Sequence, residues 1–314
     1  MSYNYLPLDH TPTSFQQIKN LLAYQQLISI TFAGYEAIDK HRHAIDNNPT
    51  HAGNADATGL MITYGQGIGE KLPTELVKLM LALKVKSLSL GKSAVKNETV
   101  QRLMDMHNND VIPVLYTHGL ALGQLSLPLI GKGEFTYQNK TYKGKEIEQL
   151  LGWKPLQLKT DEAFALITGT QFAAAYGLYC LIKMEKLLHN TIAIIGTPTN
   201  YFQAAKDAFD YVLAIFIKQI NIDSEKSANA LEHLDYAGYE LALPLDFLSV
   251  SIAGLANFIG KTLETTLPTE FLADSVLNEI NMLCTPVSIY LMSAENAGIK
   301  CLKIIELAEQ IIQN

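Results

Sequence analysis

One run of residues limits the fold more than any other. From Ala163 to Ile182 (AFALITGTQFAAAYGLYCLI) the chain carries twenty residues without a charge. Such a run is just long enough to span a bilayer. A helix apolar on every side also suits the buried centre of a large bundle. Its middle, Thr168-Gly169-Thr170-Gln171, is small and polar, and the comparable run from Leu241 to Gly260 carries Asp246. The bundle reading follows, and no membrane partner is expected.

Helical spacing dominates the rest of the chain. Pro73 stands at a favoured first-turn position, followed by Leu76, Leu79, Met80 and Leu83 at three- and four-residue steps, with Gly91 as a stop. A second helix is predicted from Val95 to Asn108, with Val100, Leu103 and Met104 inward. The long helix is predicted to start near Thr160, with Asp161 and Glu162 at its positive end, and to reach His189. Further helices are expected from Thr197-Pro198 to Ile217, Tyr239 to Leu263, Ala273 to Leu283, and Pro286 or Val287 to Ile312, with a loop over Asn221 to Asn229. GEFTYQNKTYKGK, Gly133 to Lys145, is the one convincing strand signal, a hairpin turning at Gln138 and Asn139. No linker of domain-separating length interrupts the pattern. Residues 1–314 therefore read as a single all-α domain, a long-helix bundle with one small β-hairpin.

Charge and composition exclude several functions. A net charge of −7 and a pI near 5.6 argue against nucleic acid or an anionic membrane as partner. Cys180, Cys284 and Cys301 have no metal-ligand spacing and read as buried thiols of a reducing compartment. The N-terminal MSYNYLPLDHTPTS lacks an export pattern, so a cytoplasmic location is expected. GQGIGE at Gly65 to Glu70 lies between helical segments and makes a weak nucleotide motif. His41 and His43 sit on a charged, solvated helix face, and no cofactor or metal is expected.

Four stretches, in order, resemble the histidine/phenylalanine/tyrosine ammonia-lyase family. Leu60 to Val95 is similar to the family's LVLSHAAGVGEPL segment and the long helix after it. Leu122 to Phe135 (LGQLSLPLIGKGEF) is similar to its LAHMSLLLLGEGE stretch. Leu158 to Gly177 is similar to its NGTQ helix, and Leu243 to Pro268 to a late core helix. The resemblance implies the fumarase/aspartase-like helical bundle, shortened by deletions, and a homodimer or homotetramer.

It also implies that the usual chemistry is lost. Family members cyclise Ala-Ser-Gly into a methylidene-imidazolone. Here only VLYTHGLA stands between Pro113 and Leu122, with neither that triad nor the following Asp. HAGNADATG stands where the family's tyrosine loop belongs. Tyr64 replaces a histidine, Thr168 replaces the NGTQ asparagine, and no tyrosine–arginine YSLRC segment is found. Arg42 and Arg102 are the only arginines, both in stretches that read as solvated. A substrate carboxylate is normally held by a guanidinium fork, and removing an α-amino group needs an electron sink that side chains do not supply. Deamination of an amino acid is therefore not expected.

The residues implied to line the old site are Tyr64, Tyr116, Thr117 and His118 in a turn, Thr168, Gln171, Tyr236 and Tyr239, and Glu279 in LNEINM is similar in place to the glutamate of the family's NQED motif. Tyr64, His118 and Glu279 form a workable acid–base set, and Tyr116, Thr168, Gln171, Tyr236 and Tyr239 a binding wall. Each has a plainer reading: a helix end for Tyr64, an exposed turn for His118, backbone bonding for Thr168, a helix contact for Gln171, a solvated carboxylate for Glu279. Two functions stay open. One is an enzyme of changed acid–base chemistry (elimination, isomerisation, cyclisation or addition) on a small aromatic or unsaturated substrate. The other is a non-catalytic binding or assembly partner.

Overall fold

A computed structural model describes residues 5–47, 56–222, 239–264, 272–285 and 293–313. The chain divides into two compact units, Met1–Ala175 with Ile220–Leu234, and Tyr176–Gln219 with Asp235–Asn314. The boundary after Ala175 falls inside a helix, so no shift in composition marks it.

The first unit opens with β1 (Tyr5–Pro7), α1 (Phe15–Ala23), β2 (Leu27–Ser29), α2 (Phe32–Asp46) and α3 (Ala57–Tyr64). Next come β3 (Ile68–Lys71), α4 (Thr74–Ser89), α5 (Asn97–Asn108), β4 (Ile112–Pro113), β5 (Tyr116–His118) and α6 (Ala121–Ser126). It continues through β6 (Glu134–Tyr137), β7 (Lys140–Lys143), α7 (Ile147–Leu151) and α8 (Thr160–Ile167) to the start of α9 (Gln171–Ile195). The second unit holds the rest of α9, most of α10 (Asn200–Asn221), α11 (Tyr239–Glu264), α12 (Leu272–Leu283) and α13 (Ser293–Gln313).

At the core of the first unit, α4 has almost no water-facing side. Leu76, Leu79, Met80 and Leu83 are buried as predicted, and so are Val77, Leu81, Val85, Leu88 and three lysines, Lys78, Lys84 and Lys86. Pro73 occupies the cap itself, one residue ahead of its predicted place, and Gly91 follows the last turn at φ +66°. α5 presents Val100, Leu103 and Met104 inward as expected.

β6 and β7 form the predicted hairpin, with Tyr137 paired to Lys140 and both turn residues, Gln138 and Asn139, at positive φ. That is the two-residue turn matching strand twist. It is not the sole strand structure. β1 pairs with β2, β3 with β5, and β4 joins β6, all in strands of two to four residues. These are too short to show a two-residue period.

The long helix predicted from Thr160 to His189 is broken. α8 ends at Ile167, Thr168 is extended (φ −103°, ψ 158°), Gly169 lies at φ +125°, and α9 resumes at Gln171 and runs on to Ile195. Thr160–Ile195, taken through the break, and Glu240–Leu263 are long and apolar enough to cross a membrane by length and composition, but most of each is buried. α10 and α11 fall close to their predicted places, and α12 begins one residue early. The last helix is described from Ser293, so its predicted start at Pro286 or Val287 lies outside the described residues, as does the predicted loop after Ile222.

Arg42 corrects the solvated reading of its stretch. It is 6% exposed and donates to Asp46, to Asp161 Oδ2 (2.8 Å) and to the Ala94 carbonyl (2.9 Å). Hydrogen bonds from Arg42, then from Lys159, hold the Asp46 carboxyl well below the usual range. Glu162 is fully buried and accepts from Thr99 Oγ1 (2.9 Å) and from the backbone N–H groups of Lys96 (3.2 Å) and Lys159 (3.1 Å). One carboxylate thus caps both α5 and α8. In the second unit Asp246 pairs with Lys300, binding α11 to α13 across a buried contact.

His107, on the last turn of α5, is 1% exposed, and its Nε2 has no hydrogen-bond partner among the described residues. Burial, then the nearby Lys78 ammonium, pushes its imidazole down to about 4. In the unfolded chain it takes a proton near pH 6.5. The unfolded state therefore binds the extra proton between those values, and stability falls as pH drops through that window. The loss should be about 3 kcal/mol, complete near pH 4. Urea unfolding across the window should show this slope, and His107→Phe should flatten it. An unchanged slope in that variant would assign the acid sensitivity elsewhere.

Candidate functional site

Of the expected site residues, Tyr116 and His118 lie on the β3–β5 strand pair, in which Ile68 faces His118 and Lys71 faces Tyr116. Tyr116, Thr117 and His118 are therefore strand residues, not a turn. Gln124, 3% exposed on α6, fixes this strand. Its Oε1 accepts from the Tyr116 N–H (2.8 Å), and its Nε2 donates to the carbonyls of Tyr116 (3.5 Å) and His118 (3.4 Å). A buried amide with these bonds acts as an extra strand partner. Sequence reasoning missed Gln124. The signal was present, since a glutamine inside LGQLSLPLI has no apolar reason to be there.

Tyr64 closes α3 and is half-buried. α6 packs directly on that helix end, because a Cβ at Gly123 would stand 2.2 Å from the Tyr64 carbonyl oxygen. Only glycine permits this approach. At Gly119, φ is +105° and a Cβ would meet the Gln66 carbonyl at 2.1 Å, so glycine also sets the exit from β5.

His118 is exposed, its ring lying over Gly69: a Cβ there would stand 3.1 Å from His118 Cδ2. Thr117 Oγ1 accepts from the Glu70 N–H at 3.2 Å. No hydrogen bond joins Tyr64 to His118 among the described residues. Tyr116 is engaged on the hairpin side, donating to Glu134 Oε2 at 3.2 Å, while Glu134 also pairs with Lys143. Burial, then the Glu134 charge, pushes the Tyr116 phenol up, so it serves as a proton donor. The Lys143 hydrogen bond holds Glu134 low.

Thr168 and Gln171 flank the break between α8 and α9. Thr168 Oγ1 donates to the Phe164 carbonyl at 2.8 Å, the local bonding that its plainer reading anticipates. Lys84 reaches the break from α4. Its ammonium donates to the carbonyls of Ala165 and Thr168, both at 2.7 Å, and to Gln171 Oε1 at 3.5 Å. These carbonyls are left without helical partners where α8 stops, and a buried cation satisfies them.

Glu279 lies exposed on α12 in the second unit. Tyr239 opens α11, and Tyr236 lies outside the described residues. Arg102 donates to the Lys154 carbonyl (3.0 Å) and sits over the Trp153 ring, so both arginines make contacts within the protein. No cluster of three metal-ligating side chains occurs among the described residues.

A family model described as aromatic amino acid lyase matches residues 49–238. A histidine ammonia-lyase of Geobacillus sp. (strain WCH70) is 27% identical over 231 residues, covering 64% of this chain and 45% of that protein. The chain thus spans under half the length of that relative. Among solved structures, the histidine ammonia-lyase of Trypanosoma cruzi superposes with a TM-score of 0.84 at 19% identity, covering 98% of this chain and 82% of the other. The phenylalanine aminomutase of Pantoea agglomerans superposes at 0.85 with 12% identity, covering 98% and 88%. At those identities the superpositions establish the fold.

The Lys84 contact sets one expectation. Lys84→Met keeps the side-chain length but leaves the Ala165 and Thr168 carbonyls without this donor. It should cost roughly 1–3 kcal/mol for each carbonyl left unsatisfied. Urea unfolding measures the loss, and faster amide hydrogen exchange over 171–174 should accompany it. Unchanged exchange there would show that the break holds without Lys84.

Proposed function

The chain belongs to the aromatic amino acid lyase family, and from that premise we propose that it performs acid–base chemistry other than amino-acid deamination, on a small aromatic or unsaturated substrate. The observation that carries this reading is the placement of its arginines. Arg42 is spent on Asp46, Asp161 and Ala94, and Arg102 on Trp153 and Lys154. Arg42 is thus not left as a fork for a carboxylate, and Arg102 is held against the Trp153 ring. A substrate lacking the amino-acid head group suits such a chain.

The internal prosthetic group does not fit either. Between Pro113 and Leu122 the chain goes directly through β5 and the Gly119 bend into α6, and Ala-Ser-Gly occurs nowhere in the sequence. Proton transfer then falls to side chains of the chain itself: Tyr64, His118 and Glu279 as acid–base candidates, with Tyr116, Thr168, Gln171, Tyr236 and Tyr239 as wall. A histidine ammonia-lyase and a phenylalanine aminomutase share this fold, so the scaffold accommodates more than one reaction. We place the protein as a homodimer or homotetramer. The second reading, a non-catalytic partner, draws support from Thr168 and Gln171, whose polar atoms are engaged by Phe164 and Lys84.

Two measurements test this. The intact mass should equal that of the unmodified sequence, with no loss of two waters, and histidine, phenylalanine and tyrosine should release no ammonia above background. A two-water deficit or steady ammonia release would overturn the reading. Once a substrate is found, Tyr64→Phe or His118→Ala should lower turnover by roughly 10²- to 10⁴-fold with the fold intact.

A further inference from the structure

All three cysteines of the chain fall in the second unit, and two of them meet inside it. Cys180 on α9 and Cys301 on α13 are both fully buried. The packing of the two helices brings them together. A Cβ at Gly298 would stand 2.8 Å from the Tyr176 Cβ and 2.9 Å from its Cγ, so α13 lays bare backbone on α9 at that point. Cys180 lies four residues beyond Tyr176, and Cys301 three beyond Gly298. Those steps carry a contact to the next turn of the same helix face. Further along both helices Lys183 and Glu309 join at 3.2 Å, so α9 and α13 run in the same direction. The Cys180 thiol donates to the Gly298 carbonyl at 4.0 Å and shares a hydrogen bond with the Cys301 thiol. A sulfur–sulfur bond between side chains in that contact asks for little movement of either helix.

We infer that Cys180 and Cys301 form an oxidation site, which hydrogen peroxide closes to a disulfide that staples α9 to α13. In the first step one thiolate attacks the peroxide, breaking its O–O bond, and becomes a sulfenic acid as one water leaves. The facing sulfur then attacks the oxidised one and expels its oxygen as a second water. The two thiols give up two electrons and two hydrogens, and the peroxide takes both. A small, uncharged oxidant suits a buried pair, whereas a bulky disulfide oxidant needs a thiol at the surface. Burial, then the hydrogen bond with Cys301, pushes the Cys180 thiol up. Thiolate is therefore scarce, and the pair answers sustained oxidant, not a trace. Cys284 is half-buried and donates to the Ser249 carbonyl on α11 at 4.0 Å, outside the pair. The staple spans a long stretch of chain, so it restricts the unfolded state and stabilises the second unit.

The test treats the reduced, folded, full-length protein with hydrogen peroxide, blocks the remaining thiols and maps its peptides by mass. One linked pair should appear, joining the Cys180 and Cys301 peptides with the loss of two hydrogens, while Cys284 carries the blocking group. Dithiothreitol should reverse the link. The oxidised protein should unfold at a Tm higher by roughly 5 °C or more. Cys301→Ala should lose both the link and the shift, and Cys284→Ala should keep both. The wild-type map decides the pairing even where Cys301→Ala loses stability through the gap it leaves. Three free thiols after prolonged exposure would overturn the assignment. So would sulfinic acid at Cys180 or Cys301 without a link, or a Cys284–Cys301 link in place of the expected one. A Cys180–Cys301 link that leaves Tm unmoved would overturn the staple.

Discussion

The first unit depends on burying three ammonium groups along one helix. A lysine taken out of water is costly unless its donors are met, and α4 meets this need in three directions. Lys78 pairs with Asp110, Lys84 holds the carbonyls where α8 stops, and Lys86 donates to the carbonyls of Asp9 (3.1 Å) and Thr11 (2.9 Å). The apolar residues of α4 supply the driving force for burial, while the lysines decide which segments surround it. The N-terminal loop, the bend after α5 and the α8–α9 break are each positioned by a cation that needs them. The candidate site inherits this order, because Thr168 and Gln171 flank the break that Lys84 secures.

The fold was largely legible because its helices carry their own start and stop chemistry. Gly91 past the last turn of α4 and the acidic pair at the head of α8 act within a few residues, and local patterns register them. The β6–β7 hairpin was legible for the same reason. What the pattern missed is non-local. The uncharged run from Ala163 to Ile182 reads as part of one helix, although its small, polar middle at Thr168 to Gln171 is where the break falls. At the break Gly169 takes a positive φ, and Lys84, from 84 residues away along the chain, satisfies the Thr168 carbonyl. Arg42 read as solvated for a similar reason, as Asp161, its partner in space, lies 119 residues further on.

The site was less legible than the fold. Replacement of family residues at Tyr64 and Thr168 can be read by resemblance, and so can the lack of Ala-Ser-Gly. The orientation of a side chain cannot. Tyr116 proved to be committed to Glu134, and Gln124, not singled out beforehand, holds the strand bearing Tyr116 and His118. A polar residue within an apolar segment is the available signal for such a position. In this chain Gln124 and Lys84 carry it: Gln124 holds the strand just before its own helix, and Lys84 reaches carbonyls more than eighty residues away.

The reach of those contacts bears on how the protein is made. Synthesis is vectorial, and α4 leaves the ribosome long before the residues that complete it. The carbonyl of Thr168 follows Lys84 by 84 residues. At elongation rates of roughly 5–20 residues per second, several seconds pass with that ammonium lacking its final acceptors. Until those carbonyls have been made, burying Lys84 leaves its ammonium without them, so α4 cannot reach its final packing before α8 is complete.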